Sequence, residues 1–258
     1  MAEQRKSGQR EVSGLRAAWV SDLGCMREVN EDRCLAAVEQ GLLMVADGMG
    51  GEYAGGRAAE LIVELLPGLL REHLAQLPDP SSHRIELALK DASLELNQRM
   101  RQASASLETM RKMGATLALV LVRGADAHVA HMGDSRIYGV RGGRMERLTH
   151  DHSVVSVLVR RGAITRAQAR SHPMRGRLSR YVGMGGSTAA DVRTVPWQPG
   201  DRLALCSDGL TDGLTDEQIQ KILAAHGDLL PACHALVDAA NKANGRDNIT
   251  VLLAENTS

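Results

Sequence analysis

The chain has 258 residues, with 31 Lys plus Arg set against 31 Asp plus Glu and no Phe. That length buries a sizeable core in one large domain or two small ones. Balanced charge gives no global field toward nucleic acid or an acidic membrane, and an aromatic content of 2% removes the platforms on which single-stranded nucleic acid stacks.

Residues 1–14 are polar and of mixed charge, which reads as a short mobile leader without the apolar segment of a secretion signal. Ala17–Ser21 and Cys34–Val38 read as short strands on either side of a turn, Arg27–Asp32. The run Gly41–Ala46 is continuously apolar, as a buried strand is, and a sharp turn, Asp47–Gly51, follows it. Ala58, Ala59, Ile62, Leu65, Leu66 and Leu69 give helical spacing over Gly56–Leu70, with Pro67 marking an end or a kink. After the loop Leu77–Ser82, Ser82 is placed to cap a second helix carrying Ile85, Leu89, Ala92, Leu96 and Met100.

The middle is rich in strands: Ala115–Val122, Ala127–His131 and Arg136–Val140, with a hairpin turn at Arg141–Arg144. Consecutive hairpins imply antiparallel pairing. From Asp151 to Arg180 the chain is polar with two short helical stretches and no core of its own, as expected of an insertion lying over the main body. A buried strand, Asp201–Cys206, then leads to a helix capped by Thr215, a helix from about Asp228 to Asn241 and a closing strand, Ile249–Ala254. No window approaches the roughly 20 apolar residues of a membrane span. The cysteines Cys25, Cys34, Cys206 and Cys233 form no CxxC pair and no zinc spacing, so they read as small buried hydrophobes in a reducing compartment. A soluble cytoplasmic protein is the expectation.

Carboxylates recur in Gly-punctuated turns beside the apolar runs: Glu31 and Asp32, Asp47-Gly48, Gly133-Asp134, Asp208-Gly209 and Asp247. Acids brought together at strand ends repel unless cations lie between them. Asp47, Asp208, Asp247 and Glu31 are hard oxygen donors suited to Mg2+ or Mn2+, and Gly48 leaves its carbonyl open to an ion. Two such ions about 4 Å apart share a bridging water, lower its pKa and neutralise a phosphoryl group under attack. The chemistry so indicated is direct hydrolysis of a phosphate ester. Arg27 has two readings, a fork onto phosphate oxygens or a surface residue paired with Asp32. Asp212-Gly213 reads as structural.

The ordered series Arg27-x-x-Asn30-Glu31-Asp32, Val45-Ala46-Asp47-Gly48-Met49-Gly50-Gly51, Met113-Gly114-Ala115-Thr116, Gly133-Asp134-Ser135-Arg136, Leu148-Thr149-His150-Asp151-His152-Ser153, Leu205-Cys206-Ser207-Asp208-Gly209-Leu210 and Arg246-Asp247-Asn248-Ile249-Thr250 resembles the metal-dependent Ser/Thr protein phosphatases of type 2C, the PPM family, in its bacterial stand-alone branch. The resemblance spans roughly Ala17 to Ala254, so residues 15–256 read as a single catalytic domain.

It implies an α+β fold, a four-layer α/β/β/α sandwich of two antiparallel sheets flanked by helix pairs. It also implies two Mn2+ or Mg2+ ions, the first on Asp47, Asp208 and Asp247 and the second on Glu31, Asp47 and the Gly48 carbonyl. Asp134 matches a ligand of a third, weaker metal, and Asp32 an outer position that binds metal waters and steadies Arg27. Residues 151–180 match a mobile flap beside the active site. Met49 stands where some members carry a His proposed to protonate the leaving group; His131 and His152 read as structural and the general acid is unassigned.

The function implied is a protein serine/threonine phosphatase, monomeric, acting on phosphoproteins that include a partner Ser/Thr kinase, with no nucleic-acid or membrane partner. A catalytically silent phosphoprotein-binding relative is the alternative. Such relatives typically lose a core aspartate, whereas Asp47, Asp208 and Asp247 are all present. A metal nuclease or phosphodiesterase lacks the basic stripe it would need.

Overall fold

A computed structural model describes residues 4–50, 54–77, 81–106 and 113–258. In chain order the elements are β1 (Arg5–Val12), β2 (Leu15–Asp22), β3 (Arg33–Ala37), β4 (Leu42–Ala46), β5 (Gly48–Met49), α1 (Ala54–Ala75), α2 (Ser82–Ser106), β6 (Gly114–Ala115), β7 (Leu117–Arg123), β8 (Asp126–Met132), β9 (Arg136–Arg141) and β10 (Arg144–Arg147). There follow α3 (Val154–Arg160), α4 (Arg166–Arg170), β11 (Asp191–Pro196), β12 (Arg202–Cys206), α5 (Asp208–Gly213), α6 (Asp216–Ala225), α7 (Leu229–Ala243) and β13 (Ile249–Asn256). Met1–Glu3, Gly51 and residues 78–80 of the loop after α1 lie outside the described residues.

The apolar runs are continuous because the central strands are buried on both faces. In β4, Leu42, Met44 and Ala46 face α1 and α2, while Leu43 and Val45 face the opposite sheet. In β13, Ile249, Val251 and Leu253 pack with α7, and Leu252 and Ala254 point into the middle. A period of two thus loads two faces of each sheet. The result is a six-stranded sheet, β1-β2-β13-β12-β9-β10, packed on a five-stranded sheet, β11-β8-β7-β4-β3, with every named pair antiparallel. Helices α1 and α2 cover the second sheet, and α6 and α7 the first. This is the expected α/β/β/α sandwich. With no Phe, the middle layer is filled by Leu, Val, Ala, Ile and Trp197.

Several readings change. Arg5–Val12 is not a loose leader but edge strand β1, in register with β2 from Arg5↔Asp22 to Val12↔Leu15. Backbone pairing holds this polar strand, helped by the Arg5 guanidinium on Asp22 (2.6 Å) and Asp238 (2.8 Å). Gly8 is required there, because a Cβ would meet the Trp19 ring at 2.4 Å. Helix α1 runs through Pro67 to Ala75, since Ile62, Leu66, Leu69 and Leu70 bury a continuous stripe across the break. Packing outweighs the missing backbone bond. Ser82 lies inside α2, its hydroxyl donating to Asp126 at 2.6 Å rather than capping. Cys206 and Cys233 are buried as expected, but Cys25 is exposed.

Candidate metal centre

Every acidic turn singled out in the sequence sits at a strand end on one side of the sandwich. Asp47 follows β4, Asp208 follows β12, Asp247 precedes β13, Asp134 lies between β8 and β9, and Glu31 and Asp32 precede β3. Contacts tie these turns into two groups, which the electrostatics bring together. The Asp47 N–H donates to Thr116 Oγ1 at 3.0 Å, and that hydroxyl bonds Ser135 Oγ at 2.6 Å, which brings the Asp134 turn to Asp47. The Ser207 hydroxyl donates to Asp32 Oδ2 at 2.7 Å, tying the Asp208 turn to Glu31-Asp32. The Glu31 N–H donates to Asn248 Oδ1 at 2.8 Å, and a Cβ on Gly209 would lie 2.0 Å from the Asn248 carbonyl oxygen.

Electrostatics records the same gathering. Burial pushes Asp47 well above the usual carboxylate range, reinforced by Asp32, Asp208, Asp134 and Asp247. Asp208 is raised well above it by burial and then by Asp134, Asp212, Asp247 and Asp32. Both keep some accessible surface. Asp32, 3% exposed, is pushed up to about 6 by burial, against the lowering effect of the Ser207 hydroxyl. Asp134 is pushed up to about 7, by burial and then by Asp151. Asp32 Oδ1 and Asp208 Oδ1 are buried without a hydrogen-bond partner. Carboxylates so placed want cations, and the donor set is all oxygen, which fits Mg2+ or Mn2+.

One sequence reading is corrected and another gains a second role. The Arg27 guanidinium donates to Asp247 Oδ2 at 2.7 Å, not to Asp32, which is turned inward onto Ser207. Gly48 has a packing role that its spacing does not reveal: a Cβ there would lie 2.1 Å from the Gly55 carbonyl oxygen and 2.9 Å from that of Glu31. The absent side chain lets the start of α1 close over the turn, where the Gly56 N–H reaches Glu31 Oε1 at 3.2 Å. The sequence gives no sign of the positioning roles of Thr116, Ser135, Ser207 and Asn248, although Ser135, Ser207 and Asn248 sit beside the acids that mark the site and Thr116 sits in a motif of its own.

Residues 151–180 fold as a small unit over the body, with no buried residue in α3. The unit closes at its base through the Ser153↔Leu178 bridge, and its Arg175 reaches Asp212 at 2.5 Å. Asp212 is therefore more than a turn residue. Near that base, His131, His152 and Asp191 offer nitrogen and oxygen atoms within 4.8 Å of one another. Several of these atoms already have partners within the protein. The Gly133 N–H donates to His152 Nδ1 (3.1 Å), His152 Nε2 meets Asp191 (3.0 Å), His131 Nε2 meets the His150 carbonyl (3.0 Å), and Arg180 supplies the cation at Asp191 (2.7 Å). Both imidazoles are thus engaged in contacts within the protein.

Comparison with known proteins gives the same answer from outside. The protein phosphatase 2C family profile matches residues 27–254. The serine/threonine phosphatase stp of Listeria innocua is 35% identical over 244 residues, 93% of this chain and 96% of that protein. Among solved structures, PppA, described as a key regulatory component of T6SS in Pseudomonas aeruginosa, superposes with a TM-score of 0.80 at 35% identity, covering 95% of this chain and 99% of that one. The catalytic domain of PstP, solved in complex with two manganese ions, superposes with a TM-score of 0.80 at 31% identity, covering 95% and 99%. The chain belongs to the protein phosphatase 2C family. It is a serine/threonine protein phosphatase, a phosphoric monoester hydrolase.

Proposed function

We propose that this phosphatase hydrolyses phosphoserine and phosphothreonine in proteins by direct attack of water, without a covalent enzyme intermediate. Asp47, Asp208 and Asp247 would hold one Mn2+ or Mg2+, Glu31, Asp47 and the Gly48 carbonyl a second, and Asp134 would contribute to a third, weaker position. Such ions, when bound, make hydroxide available near neutral pH and offset the charge of the phosphoryl group.

The chain's own residues do the rest. Arg27 presents a guanidinium with more donors than its single bond to Asp247 uses, so it can take phosphate oxygens while keeping that anchor. Asp32, fixed by Ser207, keeps Oδ1 free to accept from an ordered water. Met49 has no proton to give, so the leaving alkoxide takes its proton from another group.

The observation that carries this reading is that Asp32, Asp47, Asp134, Asp208 and Asp247, from turns far apart in the chain, act on one another's charge, with the buried Asp32 Oδ1 and Asp208 Oδ1 left unpartnered. The manganese found in PstP supports it. Since phosphoserine in proteins is a kinase product, the partner is a Ser/Thr kinase, itself a substrate, and the setting is cytoplasmic signalling by a monomer. Among the described residues no helix is long and apolar enough to cross a membrane. The silent-relative reading fares worse because the whole acidic set is present and assembled.

The test is hydrolysis of a phosphothreonine peptide with Mn2+. Activity should need the metal, vanish with EDTA and fall at least a hundredfold in Asp208→Asn. Turnover by Asp208→Asn at the native rate would overturn the proposal.

A further inference from the structure

Large hydrophobic side chains with high exposure are few among the described residues: Met26 at 73%, Val29 at 50% and Leu87 at 45%. Two of them, Met26 and Val29, flank Arg27 on the turn between β2 and β3. An isolated exposed apolar residue needs no explanation. A pair does when the backbone beneath it is pinned beside the reacting centre.

That backbone is tied at several points. The Cys25 N–H donates to the Gly245 carbonyl at 2.7 Å. Asn248 Nδ2 donates to the carbonyls of Leu23 (3.0 Å) and Val29 (3.1 Å), and Asn248 Oδ1 accepts the Glu31 N–H. Arg27 is anchored on Asp247. The turn therefore holds Met26 and Val29 outward at fixed positions rather than letting them fold back onto the core. Between them in the chain, beside Arg27, Glu28 is also exposed.

We infer that Met26 and Val29 form a specificity lip that receives an apolar side chain next to the phosphorylated residue of a protein substrate. The inference rests on Arg27 receiving the phosphate. Consecutive Cα atoms are about 3.8 Å apart, so the neighbours of a phosphoresidue held by Arg27 must pass over the residues beside it. Met suits such a role because its unbranched thioether adapts to differently shaped partners. Glu28, on the same turn, repels an acidic neighbour. The predicted preference at the flanking position is thus apolar first, then Gly, with Asp or Glu last.

The experiment compares kcat/KM for matched phosphothreonine peptides carrying Leu, Gly or Asp beside the phosphoresidue, with Mn2+ present. Native enzyme should favour Leu over Gly by roughly five- to tenfold, the scale expected for covering one aliphatic side chain. In Met26→Ser/Val29→Ser that ratio should fall close to one, and in Glu28→Gln the Asp peptide should gain on Gly. A native Leu-to-Gly ratio near one, or a ratio unchanged in the double variant, would overturn the lip. Failure of the underlying Arg27 reading would look different: Arg27→Ala would leave the KM of p-nitrophenyl phosphate, which has no flanking residue, unchanged.

Discussion

Ser207 and Asp32 are 175 positions apart, yet the Ser207 hydroxyl donates to Asp32 Oδ2 at 2.7 Å in a fully buried contact. The same hydroxyl accepts the Thr250 N–H at 3.0 Å, so one oxygen joins β12, β13 and the turn before β3. Asp32 is thereby held with its other oxygen unpaired, within reach of the Asp247 charge.

Removing that hydroxyl tests what the contact does. In Ser207→Ala, Asp32 loses one of its side-chain donors in a buried setting and the Thr250 N–H loses its acceptor. A destabilisation of about 1–3 kcal/mol is expected. Support of this kind behind metal ligands is worth roughly 10- to 100-fold in affinity or activity. A Mn2+ titration of turnover should shift to higher metal by about that factor. An unshifted titration would show that Asp32 needs no help to stay in place.

The carboxyl cluster sets the pH dependence of the metal-free protein. Asp32 near 6 and Asp134 near 7, with Asp47 and Asp208 also raised, hold protons in the folded state that the unfolded chain has released above about pH 4. The folded state binds more protons across that window, so stability must fall as pH rises from about 4 through 7. Cations replace the protons at neutral pH. Thermal melts with EDTA should therefore drop between pH 5 and pH 7, while added Mn2+ should raise the melting point more at pH 7 than at pH 5. Equal metal stabilisation at both pH values would go against the cluster as described.

Arg27 and Asp247 are 47% and 38% exposed, so their ion pair contributes little to folding, about 1 kcal/mol or less. Arg27→Ala should melt close to the native protein while raising KM for p-nitrophenyl phosphate about tenfold, with a smaller change in kcat. A large loss of stability with KM unchanged would make Arg27 a structural residue.

The layer between the sheets carries stability without touching the chemistry. Leu252 is fully buried there. Leu252→Ala should destabilise by about 3 kcal/mol through lost burial and a residual cavity. The surviving folded enzyme should retain its KM, which differential scanning together with steady-state kinetics would report. A changed KM at normal stability would place the middle layer in the site's mechanics.

Much of this was legible in the sequence, and the residues show why. Runs such as Leu42–Ala46 and Ile249–Ala254 announce strands buried on both faces, and the acids that terminate or precede them mark the site. Arg5–Val12 was not legible because its pairing is a backbone property that a polar edge strand does not write into its side chains. Pro67 misled because local propensity argues for a break, while Ile62, Leu66, Leu69 and Leu70 keep the helix docked. The partner of Arg27 was open for a similar reason. Asp32 and Asp247 are equally acidic on paper, and only the inward turn of Asp32 onto Ser207 decides between them.

The central claim is that acids from separate turns share a pair of divalent cations, with Asp47 common to both. Calorimetric titration of Mn2+ into the native protein and into Asp47→Asn tests it directly. Native protein should bind two ions tightly, and Asp47→Asn should lose tight binding of both. Two tight sites of native affinity in Asp47→Asn would contradict it.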